Sequence, residues 1–198
     1  MTEPSKKEDR RIRKTKKLLI NSLAVLLEEK PLKNITVREL AELSDINRGT
    51  FYLHYRDVCD MVDKLETEAF ERFNEIVSNY EPSYEQETFL TFLTELFEFL
   101  SDNSLLAKSL IGKNGDAAFV DKLKITLREK YVSRIYSDLN IKDNVKFKYL
   151  CQFIEMGSVG ICDAWLNGGM KESPRRMAEI TENMILSAIV SLQNRSKI

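Results

Sequence analysis

The chain has 198 residues, 43% of them hydrophobic and 31% charged. It is therefore too apolar for a disordered segment and too charged for a membrane protein. Seven Gly and four Pro leave few breakers for the tight turns of a sandwich or barrel, so the composition favours long helices. The net charge of −1 is unevenly spread, with 13 basic against 8 acidic side chains in residues 1–56 and 17 against 23 in residues 57–198. A head attracted to polyanions on a mildly acidic body is the expectation.

In chain order, a basic run precedes Leu18–Leu27 and mimics a secretory leader. Glu3, Glu8 and Asp9 lie inside it, Asn21 interrupts the apolar part, and Glu28-Glu29-Lys30 stands where small residues would be cleaved. A soluble, cytoplasmic protein is expected, with no membrane partner. Ile12, Leu19, Ile20, Leu23, Leu26 and Leu27 recur at helical spacing, which predicts a helix over 9–29 ending near Pro31. Thr36 followed by Glu39 has the reciprocal capping-box pattern, opening a short helix with Val37, Leu40, Ala41 and Leu43 inward. Ser44-Asp45-Ile46 is a tight turn, and Asn47 caps a second short helix with Phe51 and Tyr55 on its buried side.

Longer helices follow over about 57–79 and from Phe89 to Leu100, separated by Tyr80-Glu81-Pro82-Ser83. Segments at 104–111 and 118–138 flank Gly112–Asp116. Helices over about 144–167 and 174–194 are bounded by Gly168-Gly169 and by Ser173-Pro174. No alternating period of two runs for a strand length, so the expected fold class is all-α.

Two short helices joined by a tight turn behind a longer first helix form a helix-turn-helix, whose second helix enters the DNA major groove. The residues Thr36 to Tyr55, TVRELAELSDINRGTFYLHY, resemble the DNA-binding signature of the TetR family of bacterial transcriptional regulators. The resemblance implies a three-helix helix-turn-helix domain over 1–56 and a helical ligand-binding and dimerisation domain over 57–198, about nine helices in a two-fold dimer. With Phe51 and Tyr55 inward, Arg48, Gly49, Thr50, Tyr52, Leu53 and His54 are left on or near the outward surface. Arg48 suits guanine O6/N7, Thr50 a thymine methyl or a phosphate, and Gly49 a close approach to the bases. Tyr52, His54 and Thr36 resemble positions that hold the DNA backbone.

Two positions depart from the family pattern. The usual turn glycine is Asp45, a residue type that tolerates left-handed backbone angles. A lysine common at the start of the fourth helix is Val58, and Arg11, Arg13 and Lys14 are expected to compensate by reaching phosphates or the minor groove.

His54 is the only histidine and lies within the recognition segment, which leaves no His-based nucleophile or metal site elsewhere. Cys59, Cys151 and Cys162 have no zinc-ligand spacing. No catalytic residue, metal or cofactor is expected. The family resemblance implies an effector pocket, for which Phe92, Phe97, Tyr149, Phe153 and Trp165 are the candidate lining, with Phe89, Phe99 and Tyr131 nearby; plain core packing is the competing assignment. It also implies a dimer built on the last two helices, here through Gly157, Gly160, Met177, Met184 and Ala188 in stripes that run to Leu192, unless those stripes pack inside the subunit.

The segment GSVGICDAWLNGGMKESPRRMAEI resembles a group of TetR-like regulators that includes those of dihydroxyacetone kinase operons. The expected function is a sequence-specific regulator of a palindromic operator, a repressor released by a small-molecule effector of unknown identity. The alternative is a TetR-like protein that works through a partner protein.

Overall fold

A computed structural model describes residues 6–80, 86–111, 116–132 and 144–194. No strand occurs among them. Nine α-helices are described: α1 (Lys6–Glu29), α2 (Val37–Leu43), α3 (Arg48–Tyr52), α4 (Val58–Asn79), α5 (Gln86–Asp102), α6 (Ser104–Ile111), α7 (Ala117–Leu127), α8 (Asn144–Asn167) and α9 (Pro174–Asn194). A 3-10 turn at Leu32–Asn34 links α1 to α2, and a π turn at Arg128–Val132 follows α7. The part of the predicted 118–138 helix beyond Val132 lies outside the described residues, as do the side chains of Tyr131 and Leu192.

The chain forms two compact units. The first holds α1 to α3, α4 as far as Glu68, and α6 from Leu105; the second begins at Ala69 and holds α5 and α7 to α9. The first unit thus runs past residue 56 and takes in a later helix, a grouping that the expected division at 56/57 did not contain.

In the first unit, Leu19 and Leu23 of α1, Leu40 of α2, Phe51 of α3 and Met61 and Leu65 of α4 are the fully buried centre. Together they bring one apolar face from each helix to a common core, which is what lets two helices as short as α2 and α3 persist. Ile12 and Leu43 were expected inward and are exposed. For Leu43 the reason is that the short α2 has room for one buried ridge, and Leu40 and Ala41 already occupy it.

In the second unit α9 packs chiefly on α5 and also on α8. Phe92, Phe97, Trp165, Leu166, Ala178 and Ile189 lie in its interior. Trp165 meets Phe97 edge-on at 5.4 Å between ring centroids and donates its indole N–H to the Glu172 carbonyl at 3.0 Å. Lys122 of α7 places its ammonium 3.6 Å from the Phe70 ring centre, and Arg72 of α4 pairs with Glu95 of α5 at 3.6 Å.

α8 ends in a Schellman turn: the Met170 N–H reaches the Trp165 carbonyl at 3.0 Å, and Gly169 takes φ 85°. The same device closes α2. There the Ile46 N–H reaches the Ala41 carbonyl at 3.0 Å, and Asp45 takes φ 52° in the position that glycine usually holds.

Candidate nucleic-acid interface

The capping box at the start of α2 is fully formed. The Glu39 N–H donates to Thr36 Oγ1 at 3.3 Å, and the Thr36 N–H donates to Glu39 Oε2 at 3.0 Å. The Thr36 hydroxyl also donates to Glu39 Oε2, at 2.8 Å. Lys30 bonds the other Glu39 oxygen, and these contacts, Lys30 first and Thr36 next, hold the Glu39 carboxyl down at about 2. Thr36 is exposed as expected, but its hydroxyl is already engaged by a carboxylate within the chain.

α3 is capped by Asn47, whose Oδ1 accepts the Gly49 N–H at 2.7 Å. A Cβ on Gly49 would stand 3.1 Å from that same oxygen, so this glycine clears room for the cap as well as baring the helix surface. Phe51, with no exposed surface, and the buried Tyr55 sit 5.5 Å apart between ring centres and pin one side of α3 to the core. The other side carries Arg48, Gly49, Tyr52 and Leu53, all exposed, with Thr50 and His54 half-buried at its edges.

Sequence reasoning passed over the residues that hold this face in place. Arg38 of α2 donates its Nε–H to Glu42 Oε1 at 2.8 Å, and Arg48 of α3 approaches the same oxygen at 3.9 Å. Past α3, the buried Asp60 accepts from the Arg56 N–H at 2.9 Å, the Arg56 side chain at 3.1 Å and Lys64 at 3.0 Å. The Arg56 N–H is the main cause, with Lys64 next, that brings the Asp60 carboxyl down to about 2. Lys64 also donates to the His54 carbonyl at 3.1 Å. A single lysine therefore ties the end of α3 to α4. The i, i+4 spacings of Arg38–Glu42 and Asp60–Lys64 were the available signal.

Arg11 and Lys14 are exposed and lie within α1, which begins at Lys6. Both therefore project from a regular helix, as the predicted helix over 9–29 requires.

In the second unit the candidate pocket residues separate. Phe92, Phe97 and Trp165 are buried, whereas Tyr149 and Phe153 are 67% and 68% exposed. The last two share the outer face of α8, which is where an i, i+4 pair must fall once Trp165 and Leu166 take the inner face. They do not line the interior of the subunit.

The candidate dimer residues also divide. Met177 is 8% exposed and belongs to the subunit core. Met184 is exposed, Ala188 is half-buried, and Gly157 and Gly160 are exposed with nothing within 4 Å of a Cβ built on either. The inward stripe of α9 runs through Met177, Ala178, Thr181, Glu182 and Ile189, and Met184, two turns on from Met177, is exposed at the edge of that stripe.

A short helix held by a capping box, a tight turn and a second short helix with an exposed, largely polar face together make a helix-turn-helix, and the described residues around it are helical, the architecture of a DNA-binding head. Residues 87–187 match the family described as the C-terminal region of a transcriptional regulator, TetR_C_8. That match covers just over half of the chain, which belongs to the TetR family of transcriptional regulators.

Among solved structures, the fatty acid degradation regulator FadR from Bacillus halodurans is similar at a TM-score of 0.60 and 12% identity, over 87% of this chain and 94% of that one. A TetR transcriptional regulator from Streptococcus agalactiae is similar at 0.52 and 22%, over 89% and 96%. The dihydroxyacetone kinase operon activator DhaS is similar at 0.53 and 17%, over 90% and 97%. At these identities the likeness is one of fold. No curated protein matches the chain in sequence. No helix among the described residues is long and apolar enough to cross a membrane.

Proposed function

We propose that the protein is a cytoplasmic, homodimeric repressor that binds a palindromic operator and is released by a small-molecule effector. The observation that carries the DNA-binding part is the outer face of α3, where exposed Arg48 and Tyr52 and half-buried Thr50 and His54 stand over the buried Phe51–Tyr55 pair. Arg48 reads a guanine, Thr50 a thymine methyl or a phosphate, and Gly49 lets the helix approach the bases. Tyr52, His54 and Thr36 hold phosphates, with Arg11 and Lys14 adding charge along α1. For Thr36 a phosphate must displace the Glu39 carboxylate or share the helix-start amides with it.

Dimerisation is supported by the outer faces of α8 and α9, where Val145, Tyr149, Phe153, Met156 and Met184 are exposed together with Gly157 and Gly160. Bulky side chains and empty glycine positions on one helix suit close packing with a second copy, and two copies suit half-sites about 34 Å apart. An effector is assigned to the second unit among Phe92, Phe97 and Trp165, and it can weaken DNA binding only by the ratio of its affinities for the two states. The same exposed α8 face favours a second reading, in which a partner protein rather than a second copy covers it.

Selection of duplexes from a random-sequence pool tests the proposal. Enrichment of a palindrome by a protein that sediments as a dimer supports it. Monomers that enrich nothing exclude it, and the partner reading then remains.

A further inference from the structure

We infer that Glu42 is a specificity-determining residue of the DNA-reading face: its carboxylate, shared by Arg38 of α2 and Arg48 of α3, positions Arg48 for base readout and turns both arginines away from indiscriminate phosphate binding. The inference rests on the DNA-binding reading above and deepens it.

Glu42 gives α2 little stability that would explain its presence. It sits in the last turn, where the helix dipole disfavours an acid. Its i, i+4 partner Arg38 lies on the N-terminal side, the weaker of the two orientations for such a pair. A carboxylate in this place also opposes a polyanion, in the stretch 1–56 that carries the basic excess. What it does is geometric. One oxygen accepts from Arg38 Nε at 2.8 Å and lies at ion-pair distance, 3.9 Å, from Arg48 Nη2, so it stands between the two guanidiniums across the turn.

A carboxylate within ion-pair distance biases the Arg48 guanidinium towards the turn, and so favours one approach to a guanine edge over others. An untethered arginine swings to any phosphate and raises affinity for every sequence equally. The carboxylate therefore acts as a repulsive element against wrong duplexes and, beside a cytosine, as an acceptor for its N4 amino group.

The test uses full-length protein and two duplexes of equal length, one enriched from a random pool by the wild type and one with its sequence shuffled. Glu42 is exposed and caps nothing, so Glu42→Gln and Glu42→Asp should fold normally by circular dichroism. Glu42→Gln should bind the shuffled duplex about three- to tenfold more tightly at 0.1 M salt, the gain expected for one additional effective phosphate contact. The enriched duplex should gain less, so the specificity ratio falls. Reselection with Glu42→Gln should relax the same base position that Arg48→Ala relaxes. Glu42→Asp keeps the charge but not the reach, so it should leave shuffled-duplex affinity near wild type while relaxing that position.

An unchanged specificity ratio in Glu42→Gln, or relaxation at positions Arg48 does not read, overturns the inference. Wild-type preference in Glu42→Asp overturns the positioning role. A wild-type protein that enriches no duplex overturns the DNA-binding reading itself, before any variant is made.

Discussion

α3 and α8 each leave one face uncovered, and the two faces differ in kind. α3 presents Arg48, Tyr52, the exposed Leu53 just past its end and, at its edges, Thr50 and His54 over the buried Phe51 and Tyr55. α8 presents Val145, Tyr149, Phe153 and Met156, then Gly157 and Gly160, over a back that includes Trp165 and Leu166. A face with four donor side chains beside one leucine suits a polyanion, which supplies acceptors and charge. An apolar row of this length suits protein, because monomers rarely leave large contiguous apolar patches to water. An uncovered face thus indicates its partner by chemistry, and only when its opposite side is packed firmly enough to fix the orientation.

The largest effect should come from removing the back of α3. Phe51→Ala should cost about 3–5 kcal/mol in denaturant unfolding and abolish duplex binding, because the ring is fully buried. A destabilisation below about 1 kcal/mol would mean that other side chains hold α3 in place.

The corresponding attack on α8 should act on assembly and spare the subunit. Phe153→Glu or Met184→Glu adds a charge to an exposed face, so helicity should persist while sedimentation shows monomers that no longer hold a palindrome. Met177→Glu, at a buried position of the same helix as Met184, should instead destabilise the subunit itself. Dimers of normal mass in Phe153→Glu would remove that residue from the interface.

On the polar face, Arg48→Ala should cost about 1–3 kcal/mol of discrimination at one base position per half-site. Tyr52→Phe and His54→Ala should weaken all sequences alike and flatten the salt dependence, by about 0.9 log units per log[salt] for each phosphate no longer held. Thr36→Ala should do the same and also lower thermal stability, since Thr36 is the cap of α2.

The two Schellman turns permit a smaller test. Asp45→Val should destabilise by about 1–2 kcal/mol because a β-branched side chain is strained at φ 52°. Asp45→Gly should stay within about 1 kcal/mol of wild type.

The last contrast is one of sign. Glu39 and Asp60 in the first unit are held at about 2, below the ordinary range near 4, so the stability they contribute is present above pH ~4 and lost as pH falls towards 2. Glu182 of α9 is buried, its Oε1 has no hydrogen-bond partner among the described residues, and burial, with Glu179 adding to it, raises its carboxyl. Its charge therefore opposes folding near neutrality, and that opposition is relieved as pH falls through its raised value. Thermal melts across pH 2–7 should show Asp60→Asn lowering the midpoint at pH 7 but not at pH 2, and Glu182→Gln raising it at pH 7.

Much of the first unit was legible because its signals are short in range. Thr36 with Glu39, the tight turn at Asp45, Asn47 as cap and the Phe51–Tyr55 spacing each involve residues within about one helical turn, where local geometry settles the outcome. The TetR resemblance was carried by that same stretch, and the family match over 87–187 falls on the other half of the chain. What escaped there were side-chain contacts between helices, such as Arg48 meeting Glu42 across the turn and Lys64 reaching the His54 carbonyl.

By itself, then, the sequence determined the helical class, the start and end of most helices, the caps and the polar face of α3, because backbone hydrogen bonding and i, i+4 spacing are local. Tertiary structure alone decided which face of α8 is inner, and so turned Tyr149 and Phe153 outward and left Phe97 and Trp165 inside. It likewise drew Met177 into the subunit and left Met184 on the surface. The physical reason is the weak amphipathicity of a long helix with apolar residues around most of its circumference: periodicity names no unique inner side, and the choice falls to whichever neighbour, here α9, packs against it.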